Sequence, residues 1–464
     1  MVCGRGHSED YRRWVEENGL SHDWYYEELI PHFQKSENFL DQAADQAHRG
    51  TQGEVAVDNL TTASCIGNAF LSACKHLGMP LQTGGPTALN GASLGQYFSK
   101  GGLREDGASS FLMPIFQNRK NLTIKAGAFV THLHIEDGAA LGAHYESGYD
   151  GGDIKAKKEV IVCAGPLGSP LLLMHSGIGP REHLEEVSIP CVHDLPHVGQ
   201  NLKDQLLVPV SFRPKFASQS LDNSFKRQRQ MFRGLIHFQL FSKGFFYSPY
   251  IEGTALETTE DAPVPSIQHL ASSRNLREAY IPPSDEHLQF AEPVAGFSIT
   301  PVLLHPKSTG CIKLQGPDPF QQALIEPNYL AEEEDAKELI RGVKRAWEIS
   351  QSPSFESIVE SLILPDGEEE AEKDDQFWVN FVQKEAQSAN HPVGTCRMGA
   401  DSSTSVVDSH LCVHGIKNLR VVGSSVMPDH ISCSNPRAVT LAIAEKGAQF
   451  IKEAHHSPCQ TILY

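Results

Sequence analysis

A chain of 464 residues is long enough to bury a large core and is expected to form two or three lobes. Its 40% hydrophobic and 21% charged residues match ordinary globular usage, which excludes wholesale disorder and fibrous repeats. The formal charge of −18 argues against a nucleic-acid partner, because an acidic protein lacks the clustered cations that displace counterions from phosphates.

The ten cysteines are scattered, with no C-x-x-C and no Cys/His grouping at ligand spacing, so neither a metal site nor a disulfide framework is expected. No apolar run of about 18 residues is present, so no membrane-spanning segment is expected. The start, Met1-Val2-Cys3-Gly4-Arg5-Gly6, runs into charged sequence. A soluble intracellular protein is the expectation, with a mitochondrial location open for a longer form.

In chain order, Trp14, Trp24, Leu29, Ile30 and Phe33 supply apolar positions for a helix over residues 7–35, with a break near Pro31. Residues 62–78 predict a second amphipathic helix. The Gly-, Ser- and Thr-rich stretch 80–108 reads as a loop, either plain surface or one that covers a ligand. Strands are expected at 121–124, 130–135 and 159–164, with turns at Asp137-Gly138 and at 148–152. Residues 164–174 then give a strand end, a glycine turn and a helix start, the arrangement by which α/β folds present backbone amides to a ligand. Residues 215–290 hold a basic stretch at 226–233 and aromatic runs near 238–250, which fit either a variable substrate lobe or a solvated face. A helix is predicted at 332–349, an exposed acidic loop at 366–375, a strand-to-turn step from Leu419 to Gly423-Ser-Ser, and a final helix at 438–452.

The segment Gly165-Pro-Leu-Gly-Ser-Pro-Leu-Leu-Leu-Met-His-Ser-Gly-Ile-Gly-Pro180 resembles a signature of the glucose-methanol-choline oxidoreductases, in which Gly-x-x-x-Ser-Pro leads through aliphatics to Ser-Gly-Ile-Gly-Pro. Further blocks are similar to that family in the same order. They are Arg5-Gly-His-Ser-Glu-Asp-Tyr-Arg-Arg-Trp14, His305-Pro-Lys-Ser-Thr-Gly with Ile325-Glu-Pro-Asn-Tyr-Leu330, and His391-Pro-Val-Gly-Thr-Cys-Arg-Met-Gly399 followed by Leu419-Arg-Val-Val-Gly-Ser-Ser-Val-Met-Pro428. The likeness spans nearly the whole chain and is weakest over 205–295.

The resemblance implies an α/β fold in which an FAD-binding, Rossmann-like lobe of parallel sheet and helices joins an α+β substrate lobe built on a mostly antiparallel sheet. The implied division is 1–212 for the N-terminal region, 213–297 for a substrate-lobe segment and 298–452 for the C-terminal region. The sequence holds no Gly-x-Gly-x-x-Gly, so the first βαβ unit that relatives use for the pyrophosphate is absent from it. An incomplete lobe, weak FAD retention and marginal folding are therefore expected. The implied activity is FAD-dependent oxidation of the CH–OH group of an alcohol by hydride transfer, with electrons leaving to a quinone, another carrier or oxygen. The alternative is a non-catalytic derivative that keeps the scaffold for binding or structure.

Alcohol oxidation needs a base beside the flavin, and a neutral imidazole suits that task. The resemblance places it on His391. The second polar position of relatives, three residues before a threonine that opens the last helix, falls on Arg437, counted from Thr440. A guanidinium keeps its proton and cannot act as base, although it can donate hydrogen bonds or stabilise an anion. Arg437 either adapts the site to a carboxylated substrate, or yields the polar role to Asn435, or marks a disabled site. The resemblance matches Val130 to the residue whose main chain meets the adenine of FAD and puts Ala164 and Gly165, also among the cofactor contacts, on the following turn. It puts Gly423 and Ser424 near the pyrophosphate and ribityl chain, where relatives commonly have Asp-Ala. Asn435, Pro436 and Thr440 fall by the pyrimidine end, at a helix N-terminus that favours negative charge.

Overall fold

Two large hydrophobic cores organise the computed structural model, which describes residues 2–41, 48–60, 63–82, 90–148, 150–216, 219–220, 236, 250–259, 262–276, 295–365 and 374–456. In the first core, helices Ser8–Asn18 and Tyr26–Ser36 bury Tyr11, Trp14, Leu29 and Phe33 together with Ala442 and Ile443 of the last helix, Arg437–His456. The break expected near Pro31 falls earlier. Gly19, at φ 61°, takes the left-handed cap and donates its N–H to the carbonyl of Val15, and a 3-10 turn His22–Trp24 follows. Pro31 stays inside the second helix, because its missing N–H strips only the carbonyl of Glu27, an exposed residue that water reaches.

The same core holds a parallel pair of strands, Val160–Val162 and Leu419–Val421, in the register Val162 opposite Val421. Helix Gly165–His175 covers them with Leu173 and Met174, both fully buried. Beside them stands an antiparallel sheet of Phe129–Glu136, Ala139–Glu146 and Gly152–Lys155. Asp137 and Gly138, both at positive φ, form the tight turn that Asp-Gly favours. The middle strand escaped the sequence reading because its alanines and glycine hide the alternation. The strand expected at 121–124 does not form; residues 121 and 123–124 are exposed and no strand pairs with them among the described residues.

The second core lies on an eight-stranded sheet whose main path runs Val359–Leu364, Val210–Pro214, Phe297–Leu303, Ile267–Ser272, Ile251–Glu257 and Gly91–Leu94, every pairing antiparallel. The short strands Leu206–Leu207 and Gln387–Ser388 complete it. Helix Glu333–Ser350 buries a stripe of Leu339, Val343, Ala346 and Ile349 in this core, and helix Cys65–His76 adds Ile66, Phe70 and Ala73. Each of the leucine, valine, isoleucine and phenylalanine side chains among these contributes about 1.5–3 kcal/mol by leaving water, and the alanines less.

The sheet takes strands from all three stretches into which the sequence was divided. It also corrects the reading of 80–108 as loop: Gly91–Leu94 is a strand, because buried pairing with Ile251–Glu257 outweighs its weak local preference. Short strands also occur at Gln96–Tyr97, Ser99–Lys100 and Leu103–Arg104. Of the acidic run, 366–373 lies outside the described residues. Asp374 and Asp375 are exposed as expected, but Asp375 opens a helix, Asp375–Glu385, which the Asp374 side chain caps from outside by accepting the Phe377 N–H at 2.8 Å. The basic stretch 226–233 and the aromatic residues 238–249 also lie outside the described residues. No described helix is long and apolar enough to cross a membrane.

Candidate active site

The two parallel strands end side by side, and the Val422 N–H extends their pairing by donating to the Val162 carbonyl at 2.9 Å. Beyond that edge come Ala164-Gly165 on one strand and Gly423-Ser424 on the other. The carboxyl edge of parallel strands is where open α/β sheets receive ligands. Gly165 has φ +77° and Gly423 φ +139°, conformations that side chains resist, and open space faces the position of a Cβ at both. Helix Gly165–His175 starts there, so its first N–H groups also serve that edge.

On the neighbouring face, Val130 and Ala164 line a cavity of about 540 Å³ together with Leu133, Val162, Leu171 and His175. The lining is mostly apolar and suits a flat, weakly polar group.

The segment after His391 joins these strand ends. Thr395 Oγ1 donates to the Pro166 carbonyl at 2.5 Å, the Gly394 N–H to the Ser424 carbonyl at 3.3 Å, and the Cys396 N–H to the Ser425 carbonyl at 2.8 Å. His391 itself is set by a ladder. Strand Gln387–Ser388 pairs antiparallel with Leu206–Leu207, and Val393 pairs with Lys203 on the other side. Between these two pairings, Asn390 turns through φ 59° and His391 stands out of the ladder, as bulged residues beside active sites do. The Asp204 carboxylate holds the base of that bulge: it accepts from the His391 N–H at 3.0 Å, from Tyr329 Oη at 2.7 Å and from Ser388 Oγ. The His391 Nδ1 lies 3.3 Å from Gln205 Oε1. Burial pushes the His391 pKa down to about 3, so the imidazole is neutral through the ordinary working range.

Gln205 also reaches the stretch before the last helix through the Cys433 carbonyl at 3.1 Å. There the Ser434 N–H donates to Gln268 Oε1 at 2.7 Å, tying the approach to the antiparallel sheet. Asn435 Oδ1 accepts the Arg437 N–H at 2.9 Å, and the Pro436 carbonyl accepts both the Thr440 N–H at 2.8 Å and its hydroxyl at 2.9 Å. The Asn435 oxygen and Thr440 therefore shape the helix start. The Arg437 guanidinium lies over the Phe98 ring, 4.5 Å from its centroid, and burial and then Arg104 hold its proton affinity below the usual value.

The structure thus gathers Ala164, Gly165, Gly423 and Ser424 at one sheet edge and connects them, through residues 394–396, to His391. Gln205 connects His391 in turn to Cys433, just before the segment 435–440 that starts the last helix. Val130 belongs to the apolar cavity on the Ala164 side. The sequence reading missed Asp204 and Gln205, which lie in the polar run Gln200-Asn-Leu-Lys-Asp-Gln205 directly before a buried apolar strand. It also passed over His430, which is 1% exposed, has no partner for either ring nitrogen among the described residues and has its pKa pushed down to about 3 by burial. Among the described residues no group of His, Cys, Asp and Glu is arranged to hold a metal ion.

Comparison with known proteins shows the family. Models of the GMC oxidoreductase family match residues 1–207, for its N-terminal part, and 306–444, for its C-terminal part. The chain is 32% identical over 460 residues to an alcohol dehydrogenase [acceptor] of Pseudomonas putida, covering 97% of this chain and 79% of the relative. It is 32% identical over 461 residues to the mitochondrial choline dehydrogenase of Homo sapiens, covering 97% and 73%. Among solved structures, a formate oxidase of Aspergillus oryzae RIB40, studied for the effect of a mutation on FAD modification, superposes with a TM-score of 0.87 at 25% identity and covers 98% of this chain and 82% of that one. The chain belongs to the glucose-methanol-choline oxidoreductase family, whose members depend on FAD.

Proposed function

We propose that this chain oxidises the CH–OH group of an alcohol donor by hydride transfer to FAD, with His391 taking the hydroxyl proton. The observation that carries the reading is a neutral imidazole projected from a clamped bulge whose following residues bond to the glycine edge of the parallel strands. The residues there fit FAD. Gly165 and Gly423 leave a cradle that any side chain would fill, and the cavity at Val130 and Ala164 suits an adenine ring. Ser424 and the helix start at Asn435, Pro436 and Thr440 complete the set of residues assigned to the cofactor. When bound, FAD supplies the hydride acceptor.

The protein's own groups do the remaining work. Asp204 fixes the main chain at His391, and the uncharged ring is ready to accept the hydroxyl proton while the hydride leaves the carbon that bears that hydroxyl. Arg437 keeps its proton, so it can donate hydrogen bonds or offset negative charge but cannot compete as base. It stands in the first turn of the last helix, where the helix dipole acts in the same sense. Its guanidinium favours an alcohol that also bears a carboxylate or another anionic group, a reading consistent with the structural likeness to a formate oxidase.

The test is to mix flavin-loaded protein, without oxygen, with matched neutral, cationic and carboxylate-bearing alcohols and follow the visible flavin bands. Bleaching by alcohols, fastest with the carboxylate-bearing member of a matched pair, is expected. No bleaching by any alcohol would favour a scaffold without catalysis.

A further inference from the structure

Gln205 is fully buried, and its position leaves its amide one orientation. The Nε2 group lies 3.1 Å from the Leu304 carbonyl and 3.1 Å from the Cys433 carbonyl, so both of its hydrogens are used. Turning the amide over would set Oε1 against those two carbonyl oxygens, three acceptors with no hydrogen between them in a fully buried site. That arrangement would forfeit two buried hydrogen bonds and leave the carbonyls unsatisfied. The Oε1 atom must therefore face His391 Nδ1, at 3.3 Å. An amide oxygen only accepts, so a hydrogen bond across this gap exists only when Nδ1 carries the proton.

We propose that Gln205 is a positioning residue that fixes His391 as the Nδ1–H tautomer and so leaves the Nε2 lone pair free to act as base. The inference rests on the reading of His391 as the base and deepens it. The main chain reinforces the arrangement: the Gln205 carbonyl accepts the Ala389 N–H at 2.8 Å while Asp204 holds the His391 N–H, so one dipeptide grips both the bulge and its side chain. Because the amide also bonds Leu304, at the end of a strand of the antiparallel sheet, and Cys433, before the last helix, the tautomer is set by the junction of three segments. A wrong tautomer would present an N–H where a lone pair is needed, which leaves geometry intact and removes basicity.

The test uses the flavin-loaded protein with nitrogen-labelled histidine, reading the ring tautomer of His391 near neutral pH by long-range proton–nitrogen correlation, its signals identified by their loss in His391→Ala. The Nδ1–H form is expected in the wild type. In Gln205→Met, similar in length but without the amide, the tautomers should mix and flavin reduction should slow by roughly 10-fold or more with little change in KM. An Nε2–H ring in the wild type, or a folded Gln205→Met that keeps both the tautomer and the rate, would overturn the proposal. If Gln205→Met does not fold, the wild-type tautomer alone decides. An Nδ1–H ring combined with full turnover by His391→Ala would defeat the base assignment and leave the tautomer assignment standing. An Nε2–H ring combined with an inactive His391→Ala would do the reverse.

Discussion

Burial pushes the pKa of His391 and of His430 down to about 3, and for His430 this has a consequence for stability. Its pKa in the folded chain is about 3, against an ordinary value near 6.5. Asp429 favours the charged ring, but that carboxylate is already paired with Lys203 at 2.9 Å. As pH falls through about 6.5 the unfolded chain takes up a proton that the folded chain refuses until about pH 3. The stability present above the ordinary value is therefore lost on acidification, at up to about 1.4 kcal/mol per pH unit from this ring. Denaturant unfolding of the wild type and His430→Gln, compared near neutral pH and about one unit below 6, should show the wild type losing more stability. Parallel losses would mean that the ring is protonated or partnered in the folded state. At this scale the motif that follows His391 is what singled it out in the sequence as the proposed base. Asp204 and Gln205 stayed hidden because their partner lies 187 and 186 residues further along. His430 carries no local signature, since nothing in its flanks says that it is buried.

Among the elements, the glycine edge is where local conformation and binding meet. Gly165→Ala places a side chain at φ +77°, which should cost about 1 kcal/mol of stability, and fills the open space in front of the helix start. Lower flavin content after purification, with a melting temperature reduced by only a few degrees, is the expected outcome. Full flavin content would remove this edge from the cofactor site. The antiparallel sheet depends instead on packing. Leu339 is fully buried in the helix that covers it, so Leu339→Ala should lower unfolding free energy by about 2–5 kcal/mol, while a change below about 1 kcal/mol would show that the stripe does not carry the interface.

The elements most legible in the sequence were those with a strong period of their own, such as Glu333–Ser350 and Arg437–His456. Gly91–Leu94 was illegible because its strand character comes from Ile251–Glu257, far along the chain. The break at Gly19 was misplaced to Pro31 because a glycine cap competes with proline as a stop signal, and here the cap won.

At the scale of the whole molecule, the candidate site lies where the parallel strand ends meet the antiparallel sheet. Gln205 and Gln268 stitch these parts together: the first bonds His391, Leu304 and Cys433, and the second, on the sheet, receives the Ser434 N–H before the last helix. The family and the antiparallel sheet were legible from motif order along the chain. How the three sequence stretches share one sheet was not, because pairing between distant segments leaves no mark in either one. In the proposed reading, this assembly holds a neutral base against a hydride acceptor. The most direct measurement is anaerobic stopped-flow reduction of the bound flavin by the best alcohol donor, comparing wild type with His391→Ala at equal flavin content. The variant should reduce its flavin about 10²-fold more slowly or worse; equal rates would contradict His391 as the base.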